Sequence, residues 1–117
     1  MQMTRSKILN NVFSALADPT RRSIIEKLKS RDYTVVEISK LFDMSLPAVS
    51  KHLNVLHNAR LLRKKKEGKF IICQFNPEPF NNALKWISKQ YEFWSEGFDS
   101  LEKFLDSESK SKYDGAE

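Results

Sequence analysis

LPAVSKHLNVLHN, residues 46–58, has the pattern of an amphipathic helix with one narrow apolar stripe. At about 100° per residue, Leu46, Val49, Leu53 and Leu56 align as a buried seam, and Pro47, Lys51, Asn54 and Asn58 fall opposite. Ser45 is placed to cap the helix, and Pro47 sits in the first turn, where its missing N–H has no intrahelical partner. Such a helix starts sharply. The small side chains of Ser45 and Ala48 let its backbone come close to whatever it meets, and a polar outer face suits the major groove of DNA.

Upstream, Thr34-Val35-Val36-Glu37 is a capping box that opens a preceding helix, with Val35, Ile38, Leu41 and Phe42 inward. Asp43-Met44-Ser45 is the tight turn between the two helices. A helix of about nine residues, a turn of three and a helix of about thirteen is helix-turn-helix spacing. Downstream of Asn58-Ala59-Arg60 the period changes. Leu61–Lys66 and Lys69–Phe75 form two short segments around Glu67-Gly68 and predict a β-hairpin. Arg63, Lys64, Lys65, Lys66 and Lys69 crowd its first strand and tip, the make-up of a wing that contacts phosphates or the minor groove. Edge lysines also block aggregation, but that covers one or two of these five residues.

Towards the N-terminus, Ile8–Ala17 predicts a short helix whose wide apolar sector touches two surfaces. Asp18-Pro19 then caps a second helix to about Ser30, with Ile24, Ile25 and Leu28 inward. Arg21 and Arg22 occupy its first turn, against the macrodipole preference. Solvation is the ordinary reading of that pair, and a phosphate contact the alternative. Ser30-Arg31-Asp32-Tyr33 reads as a polar connection.

Asn76-Pro77-Glu78-Pro79 starts the last helix. Phe80, Leu84, Ile87, Tyr91, Trp94, Phe98, Leu101 and Leu105 then recur at alternating steps of four and three, and Ala83, Trp86, Phe93 and Phe104 form a thinner stripe beside them. So many aromatics exceed what a small domain buries, so one stripe is expected on the domain and the other on a second copy. Residues 1–105 form one domain in this reading, and Asp106–Glu117 a disordered polar tail.

The chain has 117 residues, 40% of them hydrophobic, which suits one modest core and no membrane span. Its net charge is +5, yet Ser45–Phe75 alone carries seven Lys or Arg against Glu67. A basic footprint confined to one segment points to a polyanion met there, whereas a solvated charged face would be scattered. The N-terminus lacks a secretory h-region and there is one cysteine, Cys73, so a cytoplasmic location is expected. Cys73 reads as a small buried hydrophobe rather than a redox sensor.

With these motifs in place, TVVEISKLFDMSLPAVSKHLNVLHNARLLRKKKEGK, flanked by ALADPTRR and by NPEPF and the aromatic helix after it, resembles the ArsR/SmtB family of bacterial winged-helix repressors. The resemblance runs from about Phe13 to Leu105, and Ser50-Lys51-His52-Leu53 and the basic wing are its most specific parts. It implies a winged helix-turn-helix fold, mainly α with a small β-hairpin, dimerising through terminal helices on a palindromic operator. Carried over, Ser45, Ala48, Ser50, Lys51 and His52 are recognition-helix positions flanked by the wing lysines. The implied dimer surface takes Ile8 and Val12 from the first helix, and Phe80, Leu84, Ile87, Tyr91, Trp94, Phe98, Leu101 and Leu105 from the last.

The sequence departs from the family in two places. Arg60 stands where members usually have glycine after the recognition helix. The helices that hold metal in metal-sensing members contain no Cys or His, and His52 and His57, five apart on one helix, cannot share an ion. No metal and no cofactor are therefore expected.

The leading expectation is a dimeric DNA-binding repressor. Ser50, Lys51 and Asn54 read bases or adjacent phosphates, with Pro47 beside them, His52 contacts the DNA backbone or braces the helix, and the wing adds salt-sensitive affinity. Its partners are double-stranded DNA, a second copy and an unidentified small-molecule effector. The alternative is a winged-helix protein-interaction module that uses the aromatic last helix. An enzyme is the weakest option. The sequence has three glycines and no glycine-rich phosphate loop, no paired carboxylates, and no Ser or Cys nucleophile with a placed base.

Overall fold

The computed structural model describes residues 4–114, with side chains described to residue 108. In chain order the elements are α1 (Arg5–Leu16), α2 (Pro19–Leu28), β1 (Tyr33–Thr34), α3 (Val35–Leu41), α4 (Leu46–Asn58), β2 (Leu62–Glu67), β3 (Phe70–Phe75) and α5 (Glu78–Asp114).

Short polar side chains set the helix starts. Thr4 Oγ1 accepts from the Lys7 N–H at 3.1 Å, so α1 begins three residues before Ile8. Asp18 Oδ2 accepts from the Arg21 N–H at 3.0 Å, with Pro19 opening α2. The capping box is complete: Glu37 N–H donates to Thr34 Oγ1 at 3.1 Å, and Thr34 N–H donates to Glu37 Oε1 at 2.9 Å. These caps satisfy donors that helix geometry leaves without partners.

The sheet has three strands in the order β1-β3-β2, all antiparallel, rather than the expected two. Tyr33 and Thr34 pair with Cys73 and Ile72, so the last residue of the expected polar connection belongs to a strand. Two residues have no readable alternation; a partner some forty positions away makes them a strand.

α1 to α4, β2, β3 and the first turns of α5 feed one core. Val12, Ala15, Ile24, Leu28, Ile38, Val49, Leu53, Leu56, Leu61, Leu62, Cys73 and Ala83 are all buried, and no buried side-chain polar atom among the described residues lacks a partner. Each such aliphatic contributes about 1.5–3 kcal/mol relative to exposure. Three expectations need correction. Leu46 is 48% exposed, because the first residue of α4 projects beyond the core that its own helix covers one turn later. Leu41, the last residue of α3, is 48% exposed for the same end-of-helix reason. Val12, expected at a dimer surface, is fully buried in the chain's own core and has no surface to offer a second copy.

The chain divides into two units, Met1–Ala83 and Leu84–Glu117. In the first unit, Phe80 packs edge-on to Phe75 with ring centres 6.0 Å apart. In the second, Leu84, Ile87, Tyr91, Trp94, Phe98, Leu101 and Leu105 are all exposed, as are Trp86, Phe93 and Phe104. α5 continues through Asp114, which corrects the expected disorder of residues 106–114; residues 115–117 lie outside the described residues. No glycine or proline falls between Gly97 and Gly115, so nothing in that run stops a helix already formed.

Candidate nucleic-acid interface

The turn between α3 and α4 is built to one geometry. Asp43 takes φ 51°, a left-handed conformation that aspartate tolerates better than most residues. Around it the Met44 N–H donates to the Ser39 carbonyl at 3.0 Å and the Asp43 N–H to the Lys40 carbonyl at 3.3 Å, a Schellman closure. The Ser39 hydroxyl donates back to the Met44 carbonyl, and Ser45 Oγ caps α4 through the Ala48 N–H at 3.3 Å.

α4 buries Val49, Leu53 and Leu56 and turns Pro47, Lys51, Asn54 and Asn58 to solvent. Ser45 is exposed at its tip, and Ala48 and Ser50 are half-buried shoulders of that face. His52 is different. Its ring turns inward, Nδ1 standing 3.4 Å from Arg21 Nη1 and 3.8 Å from Asp18 Oδ2, so it braces the helix against the start of α2. The Arg21 N–H is the main reason the Asp18 carboxyl is held below its ordinary pKa, with His52 and the Arg21 guanidinium adding to it.

Arg21 and Arg22 serve α1. Arg21 donates to the carbonyls of Ala15 at 2.8 Å and Ser14 at 3.0 Å, and Arg22 to that of Leu16 at 2.6 Å. Their apparently misplaced charge closes the C-terminal carbonyls of the preceding helix, a partner that linear spacing does not reveal.

Sheet register sorts the wing cations. Lys64 lies opposite Cys73 and Lys66 opposite Ile71, whereas Arg63 faces Gln74 and Lys65 faces Ile72. Directly opposed residues share a face and neighbours alternate, so Lys64 and Lys66 lie on the face of the fully buried Cys73, and Arg63 and Lys65 on the other. Lys64 Nζ reaches Asn54 Oδ1 on α4 at 2.7 Å. Arg63 instead donates to Asn76 Oδ1 at 3.1 Å, and Lys69 stands at the tip beyond Gly68. Burial pushes the Cys73 thiol up to about 11, so it stays protonated at neutral pH.

Sequence reasoning left Arg60 and His57 outside the site. Arg60 takes φ 62°, closing α4 with its own N–H on the His57 carbonyl at 2.9 Å and the Leu61 N–H on the Leu56 carbonyl at 3.0 Å. Arg60, His57, Arg63 and Lys64 line an open cleft of about 660 Å³, extending the basic surface past the end of α4. The signal was in the sequence as charge and as Arg60 standing where the family usually has glycine, and the left-handed turn there is what groups these residues. Asn76 anchors the cleft floor: its Nδ2 donates to the Arg60 carbonyl at 2.8 Å.

Among the described residues, none of Lys51, Arg60, Arg63, Lys64, Lys65, Lys66 and Lys69 forms an ion pair with a carboxylate. Among the described residues, no group of three His, Cys, Asp or Glu is placed to hold a metal ion, and no helix is long and apolar enough to cross a membrane.

Residues 18–64 match the model of the bacterial regulatory protein arsR family. The chain is 38% identical over 79 residues to the transcriptional repressor SdpR of Bacillus subtilis (strain 168), covering 68% of this chain and 88% of that one. It is 32% identical over 99 residues to the HTH-type transcriptional regulator Rv2034 of Mycobacterium tuberculosis, covering 85% and 90%. A crystal structure of an ArsR family transcriptional regulator superposes with TM-score 0.73 at 38% identity, over 81% of this chain and 97% of that one. A capped α3–turn–α4, a three-stranded sheet with a basic wing, and these relatives lead to one conclusion: the chain belongs to the ArsR family of bacterial regulatory proteins.

Proposed function

We propose that the chain is a transcriptional repressor that acts in the cytoplasm as a homodimer on a palindromic operator. The observation that carries this is the set of seven unpaired cations grouped on α4, the turn after it and the wing, around a helix whose leading residues are small. Cations without carboxylate partners repel one another, so their grouping fits a polyanion. Ser50, Lys51 and Asn54 are the base-edge and phosphate contacts of α4, with Ser45, Pro47 and Ala48 at its leading end. His52 acts from behind, as a brace. The exposed apolar residues of α5, with Ile8 half-buried on α1, support pairing with a second copy. Two copies then present their α4 helices about 34 Å apart, one turn of DNA.

The test is selection of duplexes from a random-sequence pool, followed by binding to the selected duplex across a salt series. The expected result is an inverted repeat, with log K falling steeply against log salt. Lys51→Ala is expected to weaken that binding about tenfold and leave the dimer intact. A flat salt slope without an enriched sequence overturns the reading and favours a protein-interaction module built on the aromatic α5.

A further inference from the structure

Two apolar side chains at the wing tip lie outside the core. Phe70 and Ile71 open β3 directly after Gly68-Lys69, and they stay 47% and 45% exposed. Their cross-strand partners are Glu67 and Lys66, so neither gains the apolar cross-strand packing that favours such residues in strands. Because strand neighbours alternate, Ile71 lies on the face of buried Cys73 and Phe70 on the opposite face. The tip therefore carries one apolar group on each side. Lysines surround it: Lys69 Nζ stands 5.5 Å from the centre of the Phe70 ring, and Lys65 and Lys66 lie on the facing strand.

An occupant of this tip must be anionic at its rim and apolar within. A second wing fails the first condition, because lysine would meet lysine. The minor groove of DNA meets both, with phosphates along its lips and deoxyribose walls between them, and at about 6 Å wide it admits side chains rather than a whole ribbon. Apolar wedges flanked by basic residues are a known way of binding there.

We propose that Phe70 forms an apolar contact with a minor-groove wall beside the segment read by α4, held there by Lys65, Lys66 and Lys69 on the flanking phosphates. This rests on the DNA-binding reading above and adds a contact that carries no charge. Its signature is affinity that salt does not remove.

The test compares the full chain with Phe70→Ala and Phe70→Leu on two versions of the duplex selected by the parent protein. One retains the flanks beyond the α4 segments; the other is trimmed so that the wing has no minor groove to meet. On the long duplex Phe70→Ala is expected to bind about fivefold to tenfold more weakly at every salt concentration, with an unchanged salt slope, and Phe70→Leu to keep most of the affinity. On the trimmed duplex parent and variants are expected to converge. Phe70→Ala binding within twofold of the parent on the long duplex overturns the proposal, and so does an equal loss on both duplexes. A parent that shows no salt-dependent duplex binding removes the DNA-binding reading itself; a parent that binds while Phe70→Ala matches it removes only the wing contact.

Discussion

Arg60 offers a test in which the backbone and the charge can be separated. It sits at φ 62°, just past the end of α4, where its own N–H and that of Leu61 close the last turn. An L-residue in the left-handed region costs about 1–2 kcal/mol that glycine does not, and part of this returns as the extra freedom of glycine in the unfolded chain. Arg60→Gly is therefore expected to stabilise the protein by about 1 kcal/mol. The side chain is exposed and its cleft neighbours His57, Arg63 and Lys64 offer it no negative partner, so little attraction is lost with it. Arg60→Ala removes the same charge and keeps the Cβ, so it is expected to give no such gain. Urea unfolding followed by far-UV circular dichroism at matched protein concentration reads the difference. With m of about 1–2 kcal/mol/M, the glycine variant should unfold roughly 0.5–1 M later than the alanine variant, at unchanged m. A glycine variant no more stable than the alanine one would refute the reasoning, because the strain assigned to φ 62° would then be absent.

Two further outcomes follow from the wing register and the caps. Lys65→Ala and Lys66→Ala are each expected to reduce the salt slope of duplex binding by about 0.9, one phosphate contact apiece, since the two flank the wing tip from opposite sheet faces; an unchanged slope in either would contradict that contact. Asp18 and Glu37 are held below their ordinary values of 3.8 and 4.5, Asp18 chiefly by the Arg21 N–H and Glu37 chiefly by the Thr34 N–H and then by Arg31. Depressed folded values give stability that is complete above the ordinary range and lost as pH falls through the folded values. Asp18→Asn with Glu37→Gln is therefore expected to flatten the decline in urea midpoint below about pH 5, and parallel decline in parent and variant would rule that out.

Local chemistry made much of this fold legible in advance. Asp18, Thr34 with Glu37, and Ser45 each cap within three residues of sequence, and α4 runs from Leu46 to Asn58 as its pattern predicts. The hairpin around Glu67-Gly68 was equally plain, because Gly68 at φ 60° supplies the turn and alternation supplies the strands. What escaped the sequence depends on partners far along the chain. β1 exists only by pairing with Cys73 and Ile72, and the inward turn of His52 needs Asp18 and Arg21 from another helix. Leu41 and Leu46 sit at helix ends, where periodicity still counts a residue as inward after the core has run out. Of the site, the cations of α4 and the wing were visible as composition. Their division between two faces was not, because it follows from register alone.

Arg21 has a mechanical consequence for α4. One guanidinium is clamped to the carbonyls of Ser14 and Ala15 and also abuts the imidazole of His52, so a polar link joins the N-terminal helix to α4 alongside the core that the two helices share. Tilting the first helix must either drag α4 with it or disengage the clamp. The N-terminal helix and α4 are thus tied by a chain three contacts long, and a shift of the first is felt at His52 of the second.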